Sequence, residues 1–458
     1  MKISNIKTPI FLAAFLLLGM DASAQEATRA VQKDKSTGYY IIPAGDASAL
    51  LQALTSANNT GNAVIFLPDG VYDLGKTTGT IISGKNISLI GQSARGVVIK
   101  NAPDVADEGL TKADLFRNTS TGLYMQDLTL KNDLDYYSSG SAGRAAALQD
   151  CGKNTIAKRV HLVSHQDTYY SHKDGSYFYW EGGEIHGTVD YICGSGNVYF
   201  NGVTLVNESR YKDNKTGECT ITAASTKDRD KGYVFEGCSI KSNSSTFNFG
   251  RSWNTAKTVF LNTTISSGKL IDTRWRTGGI NSDPVAYYEY NTIDKSGNGK
   301  DTPSTNKLTF TKANTTMETV ISAAKAEEFS YEHFFSEGWD PRSIALDREF
   351  RYSEDQAGQI SIEADAVYLV EYGPQFVGLY KGDDLLKNAP DNANGCTIRI
   401  ANARGGFSRT KAPYPVSTAV EAVGTSKPSD ACYNLVGQRV DSSYRGIGIR
   451  DGRKYLLR

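Results

Sequence analysis

Between residues 123 and 265 the chain repeats a loose pattern: an apolar or aromatic pair, a polar residue, then a small residue and a closing aliphatic. The copies are LYMQDLTL (123–130), IAKRVHLV (156–163), FYWEGGEI (178–185), VYFNGVTL (198–205), YVFEGCSI (233–240) and TVFLNTTI (258–265). Their closing residues, Leu130, Val163, Ile185, Leu205, Ile240 and Ile265, are spaced by 33, 22, 20, 35 and 25 positions. Short spacings broken by longer excursions are what stacked coils give when some turns carry loops. Several copies alternate as a strand does, and no amphipathic helix long enough for a βαβ crossover lies between them. The segments 63–74 and 86–99 continue the style upstream. The pattern predicts an all-β, right-handed parallel β-helix in preference to a sandwich.

Helical periodicity is sparse. It covers DASALLQALTSA (46–57), where Asp46 is an N-cap candidate and the helix would close the N-terminal end of the solenoid, and ISAAKAEEFSYEHFF (321–335). After about residue 345 the repeat stops, and the strand-like segments of 346–458 predict a small C-terminal β-domain. KPSD (427–430) reads as a linker before the last hairpin.

The first residues change the picture of where the chain works. Lys2 and Lys7 precede an apolar run, Pro9–Met20, and ASA (22–24) offers a small-residue cleavage site before Gln25. This predicts a leader at 1–24, a β-helix domain at 25–345, and export to the periplasm, cell surface or beyond. No later segment is long and apolar enough to span a membrane. Lys plus Arg equals Asp plus Glu at 50 each, which argues against a nucleic-acid or membrane-surface protein but leaves room for a local basic groove facing an acidic ligand. The six cysteines form no CxxC and no zinc-like spacing, so a metal site is not expected. By proximity Cys219–Cys238 and Cys396–Cys432 are possible disulfides; isolated buried thiols are the alternative.

Three clusters could carry chemistry: HQDTYYSH (165–172), GTVDYICGSG (187–196) and FGRSWN (249–254). Taken singly each has an ordinary explanation: a solvated turn, a hydrogen-bonding strand aspartate, a surface cation–π pair. Taken together they differ. Asp167 precedes Asp190 by 23 residues, about one coil, so the two can be stacked neighbours. Two carboxylates in one groove split their protonation, and a nearby Arg251 would hold one of them charged. Arg251 and Trp253 alternate along a strand and so share a face.

From about Thr37 to Pro341 these residues resemble the pectin methylesterases, which are right-handed parallel β-helix enzymes. GTVDYICGSGNVYF resembles their GTVDFIFG signature, HQDTYY their QDTLY, and FNFGRSWNTAKTVF their LGRPW segment; GECTITAAST, YYEYN and GWDP are similar to three further stretches. The resemblance implies Asp190 as nucleophile, Asp167 as general acid and then base, and Gln166 as an oxyanion donor. It implies Arg251 as the partner that orients Asp190 and Trp253 as part of a sugar platform. Tyr169 and Tyr191 are expected to contact substrate, and Trp275 is a weaker candidate. The implied ligand is a methyl-esterified pectic polysaccharide or oligosaccharide, bound by a monomer, and the implied chemistry needs no metal and no cofactor.

Several positions depart from the family pattern. The family carries a second glutamine opening a segment whose closing leucine lies 18 residues before the glutamine of QDT; this chain reads RAAAL (144–148) there, with Leu148 18 residues before Gln166, and so places Arg144 at the glutamine's position. An arginine there is expected to bind a galacturonate carboxylate or the oxyanion, with a plain surface arginine as the alternative. Tyr191 and Cys193 replace two phenylalanines, Tyr169 a leucine and Ser252 a proline. Two alternative functions stay open: a polygalacturonase or pectate lyase on the same solenoid, and a non-catalytic glycan-binding β-helix. The aspartate trio, the histidine motif and the calcium-binding acidic cluster of the first pair are not found in the repeat region.

Overall fold

The computed structural model describes residues 31–212, 216–227, 229–295, 299–300, 306–336, 338–352, 359–415, 432–434, 439–440, 445–450 and 453–457. The expected leader and the KPSD linker lie outside them. Three long sheets of ten, eight and ten strands run the length of residues 40–300; apart from the antiparallel closing pair Ile293–Asp294/Gly299–Lys300, each strand pairs in parallel with its counterpart one coil away. Successive strands visit the three sheets in turn, which is the path of a parallel β-helix.

Register explains why the repeat was visible. On the first sheet the inward column reads Ile65, Leu89, Met125, Ala157, Trp180, Phe200, Phe235, Phe260. Identical ring positions one coil apart stack face to face: Phe200 on Phe235 at 4.4 Å and Phe235 on Phe260 at 4.3 Å. Truncating one such buried ring costs about 3–5 kcal/mol. The column then meets a buried ion pair, with Glu289 opposite Phe260 and held by Arg274. On the second ten-stranded sheet the inward column is Tyr72, Ile99, Leu130, Leu162, Ile185, Leu205, Ile240, Ile265. Leu162, not Val163, occupies the stack; Val163 lies one residue out of phase and faces outward, which the eight-residue pattern could not resolve.

The ends of the solenoid are closed. The helix Ala47–Thr60 lies over the first coil, with Asp46 accepting from the Ala49 amide as N-cap and Ala49, Leu50, Ala53, Leu54 and Ala57 buried. At the far end the hairpin Lys307–Phe310/Thr315–Glu318 puts Phe310 against Tyr287. The outer face of the first sheet is also covered. Short helices at Ala323–Glu327 and Tyr331–Phe334 pack Tyr331, Phe334 and Phe335 on Tyr179 and Tyr199. Beyond them an antiparallel sheet, Val367–Tyr372, Gln375–Lys381, Cys396–Ile400 and Ala412–Pro413, presses Phe376 and Phe407 onto Phe66. Arg399 donates to Glu371 and to the Gln92 carbonyl, so polar bonds tie this sheet to the solenoid.

Cys219, Cys238 and Cys396 are free buried thiols, so the Cys219–Cys238 bridge is not formed. The two face different neighbours, Cys219 the Ser244 hydroxyl and Cys238 the Phe200 carbonyl, because Cys219 sits in the strand Glu218–Ala224 and Cys238 in the turn between Tyr233–Glu236 and Ser239–Ser242. The Cys432 side chain is outside the described set. Among the described residues no helix is long and apolar enough to cross a membrane.

Candidate active site

The outer face of the eight-stranded sheet carries a cleft, with Tyr170, Cys193 and Ala223 as its buried floor and Leu110 and Trp253 packed against them. The sheet's outward ladder runs Ile81, Arg117, Gln149, Tyr170, Cys193, Ala223, Arg251, one residue per coil. The candidate residues gather on this ladder and on the turns that lead into it.

A bulge makes room for Asp190. Val189 pairs with Thr220 and Ile192 with Thr222, so the strand carries one residue more than its neighbour. The extra residue breaks the alternation: Tyr191 and Ile192 both enter the core, and Asp190 turns to the cleft. Asp190 has φ 52° and Asp167, in the turn one coil earlier, has φ 60°. This left-handed region is one that aspartate and asparagine tolerate better than most side chains. Both carboxylates are therefore delivered by the same backbone device.

Arg251 grips Asp190 in a fork: Nε donates to both carboxylate oxygens at 3.0 Å and an Nη donates to Oδ2 at 2.6 Å. That pairing is what makes a charge tolerable at a site only 6% exposed. Asp167 has no such clamp. Burial first, and the Asp190 charge second, push its carboxyl up to about 8, against the pull of Arg144, Arg251 and the Cys193 thiol. At neutral pH the cleft thus holds a salt-bridged carboxylate beside a protonated one.

Arg144 reaches the same cleft from its neighbouring turn, where its backbone bridges that of Gln166. Its guanidinium is held by Glu108, Nε to Oε2 and an Nη to Oε1 both at 3.1 Å, and the backbone amide of Arg144 donates to Glu108 as well. These bonds draw the Glu108 carboxyl down to about 2. The cleft has a volume of about 200 Å³ and is lined by Arg144, Gln166, Asp167, Asp190, Arg251 and Trp253, with Leu110, Ala142, Cys193 and Ala223 between them. Trp253 stands 6.3 Å from the Tyr170 ring, giving one aromatic edge. A larger hollow of about 530 Å³ lies between the first coils and Pro374–Phe376 and holds none of these groups. Among the described residues no group of three or more His, Cys, Asp or Glu is placed to hold a metal ion.

Six of the eight expected site residues come together here; Tyr169 and Tyr191 do not. Tyr169 begins its strand facing inward between Leu148 and Ile192 and packs on Trp180, and period-two alternation gives the outward place to Tyr170. Tyr191 is turned inward by the bulge and hydrogen-bonds Asn207 at 3.0 Å. Trp275 is likewise buried, stacked on Tyr287 at 4.2 Å. Tyr191→Phe is accordingly expected to leave the KM for substrate unchanged and to lower stability by about 1 kcal/mol, measured by denaturant unfolding. Glu108 and Leu110 were missed. They lie on an irregular excursion between coils, where no periodicity marks which face a side chain takes.

Fold and site define a parallel β-helix protein with a paired-carboxylate cleft on the outer face of its eight-stranded sheet. A pectinesterase family model matches residues 31–338, and the chain belongs to the pectinesterase family. It is 26% identical over 314 residues to probable pectinesterase A of Aspergillus niger, covering 64% of this chain and 90% of that one. It is 29% identical over 265 residues to probable pectinesterase/pectinesterase inhibitor 12 of Arabidopsis thaliana, covering 54% of this chain and 46% of that one. The chain thus spans less than half the length of that plant relative. Pectin methylesterases of Erwinia chrysanthemi and Yersinia enterocolitica superpose with a TM-score of 0.50 each. They are 23% and 22% identical, cover 63% of this chain and 92% and 98% of their own, and share the fold.

Proposed function

We propose that the chain hydrolyses methyl esters of galacturonate units in pectin or pectin-derived oligosaccharides and releases methanol. The observation that carries this reading is the pair of buried aspartates in one cleft, Asp190 clamped by Arg251 and Asp167 beside it without a clamp. Asp190, held by Arg251, attacks the ester carbonyl; the oxyanion that forms is met by the Gln166 amide and the Arg144 guanidinium. Protonated Asp167 gives its proton to the departing methoxide, so methanol leaves and an acyl–Asp190 anhydride remains. Asp167, now a carboxylate, takes a proton from water as the water attacks the acyl carbonyl, which frees the galacturonate acid and restores Asp190. Trp253 offers a platform for a sugar ring.

Methanol release across a panel of methylated pectins, branched ones included, tests the reading; a wild-type chain silent on all of them overturns it. Binding without methanol would favour a glycan-binding solenoid, and a rise in ultraviolet absorbance on pectate a lyase. Arg144 adds a pH signature. Its charge pulls the Asp167 carboxyl downward, so Arg144→Gln is expected to move the alkaline limb of the kcat/KM profile to higher pH. The chain is further proposed to be exported, with its leader cut before Gln25, and N-terminal sequencing of the mature protein is expected to read from that residue.

A further inference from the structure

Three arginines stand along the eight-stranded sheet, and each is held in the same way. Arg251 reaches Asp190, Arg144 reaches Glu108 and Arg117 reaches Asp114, always through Nε and one Nη. In each pair the carboxylate lies deeper. Side-chain exposures are 6%, 12% and 0% for the acids against 24%, 43% and 34% for the arginines. The edge that meets a ligand is therefore cationic, although the chain carries no net charge. The esterase chemistry uses Arg251 and Arg144 but leaves Arg117 without a task.

Arg117 is firmly set. Its Nε also meets the Gln149 side-chain oxygen at 3.0 Å, and its Nη2 donates to the Thr111 carbonyl at 2.8 Å as well as to Asp114. Its second terminal nitrogen, Nη1, has no partner among the described residues. On the outward ladder Arg117 stands three coils from Cys193, about 14 Å along the solenoid at the usual strand spacing. A pyranose unit in an extended chain is of comparable length to one coil. A sugar acid two or three units from the reacting ester would then lie beside Arg117. A guanidinium locked from behind and open in front suits a carboxylate, with little side-chain freedom left to lose on binding.

We propose that Arg117 forms a subsite for the free carboxylate of a galacturonate unit on the N-terminal side of the cleft. The inference rests on the methylesterase reading for its choice of ligand. It makes this chain selective for esters flanked on that side by units already in the acid form.

The test is calorimetric titration of the full chain with unesterified pentagalacturonate, alongside methanol release from partly and fully methylated pectin. Arg117→Gln is expected to weaken pentagalacturonate about tenfold, to reduce the salt dependence of binding, and to raise the KM on partly methylated pectin by about the same factor. Arg117→Lys, which keeps the charge, is expected to recover part of the affinity. If Arg117→Gln fails to fold because Asp114 is stranded, Arg117→Gln with Asp114→Asn removes both charges and reads the same affinity. Unchanged pentagalacturonate binding in a folded variant, or no binding by the wild type, overturns the subsite. Wild-type binding that Arg117→Gln weakens, with no methanol from any pectin, supports the subsite and overturns the esterase reading instead.

Discussion

Asp190→Asn is expected to reduce methanol release from methylated pectin by at least about 10³-fold, because the amide cannot form the acyl intermediate. Asparagine is the informative replacement. The residue has φ 52° in a strand bulge, and alanine there would strain the backbone and confuse a lost nucleophile with a displaced strand. Asparagine accepts that conformation and keeps the side-chain volume. The substitution leaves the Arg251 guanidinium facing a neutral amide, a loss of order 1–3 kcal/mol, partly offset by the relief of repulsion between the two aspartates. A folded Asp190→Asn chain with retained oligogalacturonate binding and wild-type methanol release would remove Asp190 from the reaction. Mass spectrometry under turnover gives a second check, since an acyl adduct should form on the wild type and not on the variant.

The second large effect belongs to Asp167. With its carboxyl pushed up to about 8, the acid form persists through neutral pH, and kcat/KM is expected to fall on the alkaline side with an apparent pKa near that value. Asp167→Asn is expected to lower kcat by about 10²–10⁴-fold and to abolish that limb. Stability follows the same group. Its folded pKa lies above its unfolded one, so the folded state holds a proton that the unfolded chain releases. The associated stability is fully present below about pH 4 and is lost as pH rises to about 8. Asp167→Asn should therefore gain melting temperature over the wild type as pH is raised from 5 to 8. A melting difference that is flat across that range would mean that Asp167 is ionised throughout.

The solenoid was legible because one coil repeats one set of inward positions, and a column such as Phe200, Phe235, Phe260 writes the same residue at the same phase. The pair Asp167 and Asp190 was legible for the same reason, since their separation is one coil. What the sequence hid is phase at irregularities. The bulge at Asp190 sends Tyr191 inward, and one step of alternation exchanges Tyr169 for Tyr170 in the cleft. Glu108 was hidden more deeply, because it comes from a loop and meets Arg144 across 36 positions of chain. Arg144 itself was visible only as a departure from the family pattern. Its clamp by Glu108, and the matching clamps along the sheet, needed three dimensions.

The closed ends of the solenoid have a consequence for its length. A parallel sheet that stops leaves a full row of amides and carbonyls able to recruit another chain, and three sheets stopping together would make a template for a filament. Here the helix Ala47–Thr60 roofs one end, and the hairpin carrying Phe310 blocks the other. The rod is thus a counted object, with a first and a last coil. A long polymer can run along the cleft side, while the helix and the hairpin stand where a further copy of the rod would have to add.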